Sequence, residues 1–181
     1  MPLRIVRVTD SDLMESLYRF RHDIYVDELG WFADGGPFAV AQGRREQGRI
    51  GGGVFKDEFD DRAHNYAAYD DAGQVIGSVR VVPDGPLGLP LERCFPLNGY
   101  REGRRLAEIC RLVIRRDCRG SRLGALLMKA AYHRCLAIGT THIVLDTYVG
   151  NGEADALYEK MEFRLIGGPD RDPTYRCKLP V

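Results

Sequence analysis

The stretch "LVIRRDCRGSRLGALLMKAA", Leu112 to Ala131, decides the fold. Its first residues, Leu112, Val113 and Ile114, belong to an apolar run, "AEICRLVIR", that reads as a buried strand. An arginine-rich turn marked by Gly120 follows. From Gly120 to Ile138 the spacing predicts one helix. Leu123, Leu126, Leu127, Ala130, Ala131 and Leu136 form its apolar face, and Gly139 stops it. Strand, glycine turn and helix in that order make an anion site. The first N–H groups of a helix lack partners, and the macrodipole adds partial positive charge there. Gly120 and Gly124 allow close approach to the backbone, and Arg111, Arg115, Arg116, Arg119 and Arg122 crowd the same segment, where they can pair with phosphate. The pattern alone also fits a plainer reading, in which Gly120 only turns the chain and the arginines line a solvated edge.

On the N-terminal side "LRIVRV" alternates as a strand, and Thr9 or Asp10 caps a helix that carries Leu13, Leu17, Phe20 and Ile24 and stops at Gly30. The glycine-rich, aperiodic stretch from Gly35 to Gly53 predicts a long mobile loop, about 32–56. "NYAAYDDAGQVIGSVRVVP" reads as a hairpin turning at "DDAG", and "DGPLGLPLERCFPLNGYREG" as a loop with one helical turn. On the C-terminal side "HIVLDTY" is a strand, "GEADALYEKME" a short helix, and "FRLIGG" and "TYRCKLPV" closing strands. The order β-α-β-β-β-α-β-α-β-β implies an α/β fold, a mixed sheet with helices on both faces, in a single domain over residues 1–181.

Composition narrows the function classes. The 181 residues are 44% hydrophobic, enough for one core, and the 26 basic and 26 acidic residues cancel. Zero net charge disfavours a general polyanion binder, and no aromatic platform interleaves with the arginines, so nucleic acid is not expected as a partner. Five cysteines without CxxC spacing predict neither a disulfide framework nor a zinc site, and fit a reducing cytoplasm. The histidines are scattered, so no metal site is expected. The N-terminus is too charged for a signal segment, and no apolar run approaches the roughly 20 residues that span a bilayer.

"LVIRRDCRGSRLGALLMKAA", followed by "LDTYVGNGEADALYEKMEF", resembles the GNAT superfamily of N-acyltransferases. The resemblance implies a mostly antiparallel central sheet with a splayed strand pair that admits a pantetheine arm. The thioester donor would then lie along Leu112, Val113 and Ile114. Its phosphate would sit on Arg119-Gly120-Ser121-Arg122-Leu123-Gly124, with Asn151 nearby. Arg122 departs from the family pattern, where a glycine is usual. It suits the single phosphate of a carrier-protein arm, or the acidic surface of such a carrier, better than the pyrophosphate of coenzyme A. Tyr158 matches the tyrosine often placed near the leaving sulfur.

The front half adds a second set. "RHDIYVDELGW" places Arg21, Tyr25 and Trp31; "DEFDDRAHNY" places Asp57 and Asp60; "GSVRVVP" supplies Arg80; "EICR" supplies Glu108 and Arg111. In that order they resemble the acyl-homoserine-lactone (autoinducer) synthases and the related long-chain N-acyl amino acid synthases. There the matching residues surround the acyl and amino-substrate pockets. Tyr25 stands where the autoinducer synthases usually have phenylalanine, and the segment from Trp31 to Asp57 is longer.

N-acylation needs a base, because an α-ammonium group is mostly protonated at neutral pH. Glu108 is the first candidate, and Asp57 and Asp60 are candidates to hold the ammonium. Arg80 or Arg21 would bind a substrate carboxylate, Tyr158 would protonate the departing thiolate, and Trp31 would anchor a core or lid. Strand alternation predicts that Glu108 and Arg111, three apart, project from opposite faces. An ion-pair network tying the loop to the sheet is the structural alternative for these charges. Cys110 is not expected to be a nucleophile. Val79, Val81 and Leu145 are expected to line an acyl pocket. The expectation is an acyl transfer from an acyl-carrier-protein or coenzyme A thioester, a co-substrate rather than a resident cofactor, to the amine of an amino acid or S-adenosylmethionine. A coenzyme A-dependent acetyltransferase of a small amine and a catalytically inert ligand-binding domain are the alternatives.

Overall fold

A computed structural model describes residues 4–31, 49–148, 150–168 and 174–179. Strand β1 (Arg4–Val8) leads into α1 (Ser11–His22), whose N-cap is Asp10. The Asp10 carboxylate accepts from the N–H groups of Asp12 (2.9 Å) and Leu13 (3.2 Å). The helical path then widens into a π-helical turn, Asp23–Glu28, in place of a continued α-helix. Short strands β2 (Arg49–Gly51) and β3 (Val54–Lys56) pair antiparallel at the far end of the segment expected to be a mobile loop. Residues 32–48, the rest of that segment, lie outside the described residues.

A hairpin of β4 (His64–Tyr69) and β5 (Val75–Pro83) follows. Its turn is fixed by Asp70, whose carboxylate accepts from Ala72 N–H (3.1 Å) and Gln74 N–H (2.9 Å). Beyond a short helix α2 (Asn98–Arg101) come β6 (Leu106–Ile114), α3 (Leu123–Ala137), β7 (His142–Asp146), α4 (Gly152–Lys160), β8 (Arg164–Gly167) and β9 (Thr174–Lys178). Seven strands form one sheet in the order β1-β4-β5-β6-β7-β9-β8, antiparallel except where β6 meets β7. Among the described residues no helix is long and apolar enough to cross a membrane.

The sheet is covered on both faces. On one, Leu123, Leu127, Met128, Ala131 and Cys135 of α3 pack on Val79, Val81, Ala107, Ile109 and Ile143. On the other, Leu17 of α1 meets Val8 and Ala67, while Phe20, Ile24 and Tyr25 meet Phe55 and Val113. Each of the larger aliphatic and Phe side chains buried here contributes about 1.5–3 kcal/mol, which makes these clusters the main source of stability. The buried face of α3 differs from the expected one: Leu126 and Leu136 are exposed, and Met128 and Cys135 take their place. The buried row steps by four from Leu123 through Leu127 and Ala131 to Cys135, and Leu126 and Leu136 lie off that row.

Gly120 has φ +70° with open space where a side chain would stand. Gly120→Ala is therefore expected to cost about 1–2 kcal/mol from backbone conformation alone, read as a lower urea midpoint; a change under about 0.5 kcal/mol would show that the turn relaxes freely.

Candidate active site

Two strands part at the centre of the sheet. β6 and β7 share a parallel ladder over only three pairs, Leu106↔His142, Ala107↔Ile143 and Glu108↔Val144. β6 then runs on to Ile114 beside β5, while β7 ends at Asp146 beside β9. A wedge therefore opens above Glu108.

The β6 edge of the wedge is bent by a bulge. Ser78 pairs with Val113 and Arg80 with Cys110, so two residues, Arg111 and Leu112, stand opposite Val79 alone, and Arg111 has φ +55°. The bulge overturns the expectation that Glu108 and Arg111 face opposite ways. The inserted residue resets the alternation, and Glu108, Cys110 and Arg111 all lie on the α1 side, while Leu112 and Ile114 pack toward α3. A non-glycine residue at positive φ has no sequence signature, which is why simple alternation fails here.

On that side the predicted charges converge. Asp57 accepts from Arg80 (Nη1–Oδ1 2.6 Å) and Arg111 (Nη2–Oδ2 3.0 Å). Asp60 accepts from Arg21 (Nη1–Oδ1 2.9 Å) and from the same Arg80 Nη1 (3.1 Å). Arg21 also donates to Asn65 Oδ1 (2.5 Å), and Arg80 Nε to Cys110 Sγ (3.3 Å). Arg21, Arg80, Asp57 and Asp60 are all buried. Burial alone would raise both aspartates. The guanidinium groups of Arg80 and Arg111 overcome it at Asp57, and those of Arg21 and Arg80 at Asp60, so both carboxyls titrate below their usual range. Among the described residues Arg21 Nε, Arg80 Nη2 and Asn65 Nδ2 are buried without a hydrogen bond. Such atoms call for a water or a ligand.

Aromatic rings close one flank. The Arg111 guanidinium lies 4.6 Å from the Phe55 ring centre and 5.5 Å from that of Tyr25. Tyr25 stacks on Trp31 at 5.3 Å, and Trp31 meets Tyr148 edge-on at 4.9 Å. Trp31 thus joins the π-helical turn to the segment after β7.

Glu108 is 1% exposed and accepts from Leu91 N–H at 2.8 Å. Burial, and then the nearby charge of Asp146, push its carboxyl up to about 8, against the opposing effects of Leu91 N–H, Arg80 and Cys110. The Cys110 thiol is pushed up to about 12 by burial, which keeps it protonated and a poor nucleophile. Tyr158, buried between Phe163 and Tyr175, is raised well above the usual phenol range, first by burial and then by Asp146. Asp146, an acid that ends β7 after the apolar run Ile143–Leu145, was not singled out from the sequence.

At the turn, Arg119 is already engaged: it donates to the Ile114 carbonyl (Nε, 3.0 Å) and pairs with Glu28 (2.6 Å). Ser121 Oγ donates to the Cys118 carbonyl (2.6 Å) and accepts from Leu123 N–H (3.3 Å). Gly124 is buried, and a Cβ there would stand 3.3 Å from Ile114 Cδ1, so this glycine serves helix-to-strand packing. Arg115 pairs with Asp70 and Asp117. Arg116 and Arg122 are exposed and carry no ion pair among the described residues. Asn151 caps α4 and donates to Thr147 Oγ1 at 2.9 Å. Val79, Val81 and Leu145 are fully buried in the α3-side core.

A parted strand pair and a glycine turn at the start of a long helix are the features of a GNAT-like fold. The chain belongs to the FeeM family of N-acyl amino acid synthases, whose family model matches residues 16–180. Among solved structures, FeeM, an N-acyl amino acid synthase from uncultured soil microbes, superimposes with a TM-score of 0.72 at 14% identity, covering 98% of this chain and 90% of that one. The coenzyme A-dependent acyl-homoserine lactone synthase BjaI, solved with MTA, gives 0.67 at 18% identity over 99% and 84% of the two chains; it has also been solved with SAM and isopentyl-CoA. A GNAT-family acetyltransferase from Staphylococcus aureus Mu50 gives 0.64 at 12% identity over 99% and 100%. No curated protein matches the chain.

Proposed function

We propose that this N-acyltransferase moves an acyl chain from a carrier-protein thioester to the α-amine of an amino acid. The wedge supports the reading: the β6–β7 ladder ends at Glu108, and the edges that part beyond it could accept the peptide-like pantetheine arm. Glu108 removes a proton from the ammonium group. Backbone N–H groups beyond Glu108 on β6 polarise the thioester carbonyl. The amine nitrogen bonds to the carbonyl carbon, the carbon–sulfur bond breaks, and Tyr158 donates its proton to the sulfur as its oxygen takes the second proton from nitrogen; Glu108 returns its proton to water after the products leave. Asp57 and Asp60 have their carboxylates filled by guanidinium groups, so they act as a frame that positions Arg80 and Arg111. Arg80 Nη2, buried without a hydrogen bond among the described residues, suits the acceptor's carboxylate. The exposed Arg116 and Arg122 favour an acidic carrier protein at the turn.

The test presents acyl carrier protein and coenzyme A thioesters of the same acyl chain, each with mixed amino acids or with S-adenosylmethionine, and identifies products by mass spectrometry. N-acyl amino acids from the carrier thioester are expected. Arg122→Glu should slow that reaction about tenfold while changing the coenzyme A reaction little. A lactone product would move the acceptor to S-adenosylmethionine, and transfer of acetyl groups alone would overturn the reading.

A further inference from the structure

Glu28 joins two parts of the molecule that lie far apart in the sequence. It is the last residue of the π-helical turn Asp23–Glu28, and its Oε1 lies 2.6 Å from Nη1 of Arg119, in the glycine turn before α3. Arg119 also donates from Nε to the Ile114 carbonyl at the end of β6, at 3.0 Å. In the chain Glu28 stands between Tyr25 and Trp31. The Trp31 N–H donates to the Tyr25 carbonyl at 2.9 Å, and the two ring centres lie 5.3 Å apart. The segment that carries Glu28 therefore also carries the aromatic flank of Arg111, whose guanidinium is 5.5 Å from the Tyr25 ring centre.

This ion pair occupies a guanidinium that a phosphate at the turn would use. The two side chains are 35% and 26% exposed, and pairs this open to solvent are weak. A phosphate monoester carries about −1.5 to −2 charge at neutral pH and three acceptor oxygens, against the single charge of a carboxylate. The first N–H groups of α3 add to its hold. With a phosphate in place, two anions would compete for one guanidinium, and their repulsion favours release of Glu28.

We propose that Glu28 is a positioning residue for donor binding: it holds Arg119 while the donor is absent, yields it to the phosphate of the pantetheine arm, and in moving couples the glycine turn to the Tyr25–Trp31 flank. The proposal rests on the thioester-donor reading above. The exchange makes and breaks no covalent bond. Coenzyme A and a carrier protein both carry a phosphate at that end of the arm, so the exchange serves either donor.

Binding reads the exchange without turnover, using 4′-phosphopantetheine and pantetheine, which differ only in the phosphate. The wild type is expected to bind the phosphorylated compound about tenfold or more tightly. Glu28→Gln keeps side-chain size and frees Arg119. It is expected to bind 4′-phosphopantetheine about three- to tenfold more tightly than the wild type, while its affinity for pantetheine moves less than about twofold. A gain is the distinguishing sign, because loss of a merely structural contact weakens binding. In Arg119→Gln the same change at Glu28 should alter 4′-phosphopantetheine affinity less than about twofold. Trp31 is the single tryptophan of the chain and reports the coupling. Its emission is expected to shift when 4′-phosphopantetheine binds the wild type. Glu28→Gln is expected to start near the shifted position and to respond less than about half as much. Unchanged or weaker 4′-phosphopantetheine binding in Glu28→Gln, or an equal gain for both compounds, overturns the role of Glu28 alone. A Trp31 spectrum that ignores the bound compound in the wild type overturns the coupling. Equal binding of the two compounds by the wild type overturns the donor reading of the turn, and the role of Glu28 falls with it.

Discussion

Glu108→Gln is expected to lower kcat by about 10²–10⁴-fold, the usual contribution of a positioned general base. The substitution keeps the fold, because a glutamine carbonyl can accept the Leu91 N–H that Glu108 Oε2 now accepts at 2.8 Å. Two pH signatures separate loss of the base from incidental damage. In the wild type, kcat/KM should rise with pH and level off above about 8, where Glu108 is ionised, and this rise should vanish in the glutamine variant. Stability should move the other way. The folded carboxyl titrates near 8, whereas the unfolded one does so at 4.5. Between those values the unfolded chain binds fewer protons than the folded one, so wild-type stability falls as pH rises through that window. Glutamine has no such titration, and its melting temperature should gain on the wild type from pH 5 to pH 9. A kcat within threefold of wild type, or a melting difference that does not widen, would remove Glu108 from the base role.

The second large effect is structural. Arg80 Nη1 bridges Asp57 (2.6 Å) and Asp60 (3.1 Å), all three buried. Arg80→Met keeps much of the side-chain bulk but strips each aspartate of a partner, and breaking a buried pair in this way costs about 3–5 kcal/mol. Adding Asp57→Asn removes one of the stranded charges. The double variant is expected to be more stable than the sum of the single losses by about 1–3 kcal/mol, measured by urea denaturation. Additivity within about 0.5 kcal/mol would show that the cluster is not one cooperative unit. Acid sensitivity should follow the same logic. Both aspartates titrate below 3.8 when folded, so they add stability above that value and lose it as pH falls toward their folded values. Without Arg80 their folded values rise, and acid unfolding begins at a higher pH.

The frame of the molecule was legible wherever a local rule decides the outcome. Asp10 capped a helix as its position demanded, Asp70 closed the hairpin, and Gly120 took the positive φ that a turn into α3 requires. The alternation of "AEICRLVIR" marked a central strand but could not show the bulge at Arg111, because nothing in an arginine announces a left-handed backbone. That single insertion moved Arg111 to the side of Asp57, and with it the geometry of the charged cluster. The π-helical turn was hidden for a similar reason: "DIYVDE" keeps good helical spacing, and the wider turn shows in the backbone, where Leu29 N–H donates to the Ile24 carbonyl five residues back at 2.9 Å. The charged residues themselves were visible as a set. Their division into frame and chemistry was not, because that depends on which carboxylates the arginines reach in three dimensions.

Because three residue pairs are all that join β6 to β7, the ribbon of β7, β9 and β8 hangs from the rest of the sheet by a short seam. On the proposed reading, a donor arm lying in the gap would lend hydrogen bonds to both edges at once. Occupancy and rigidity of that ribbon would then rise and fall together, and the substrate would serve for part of each cycle as a temporary strut.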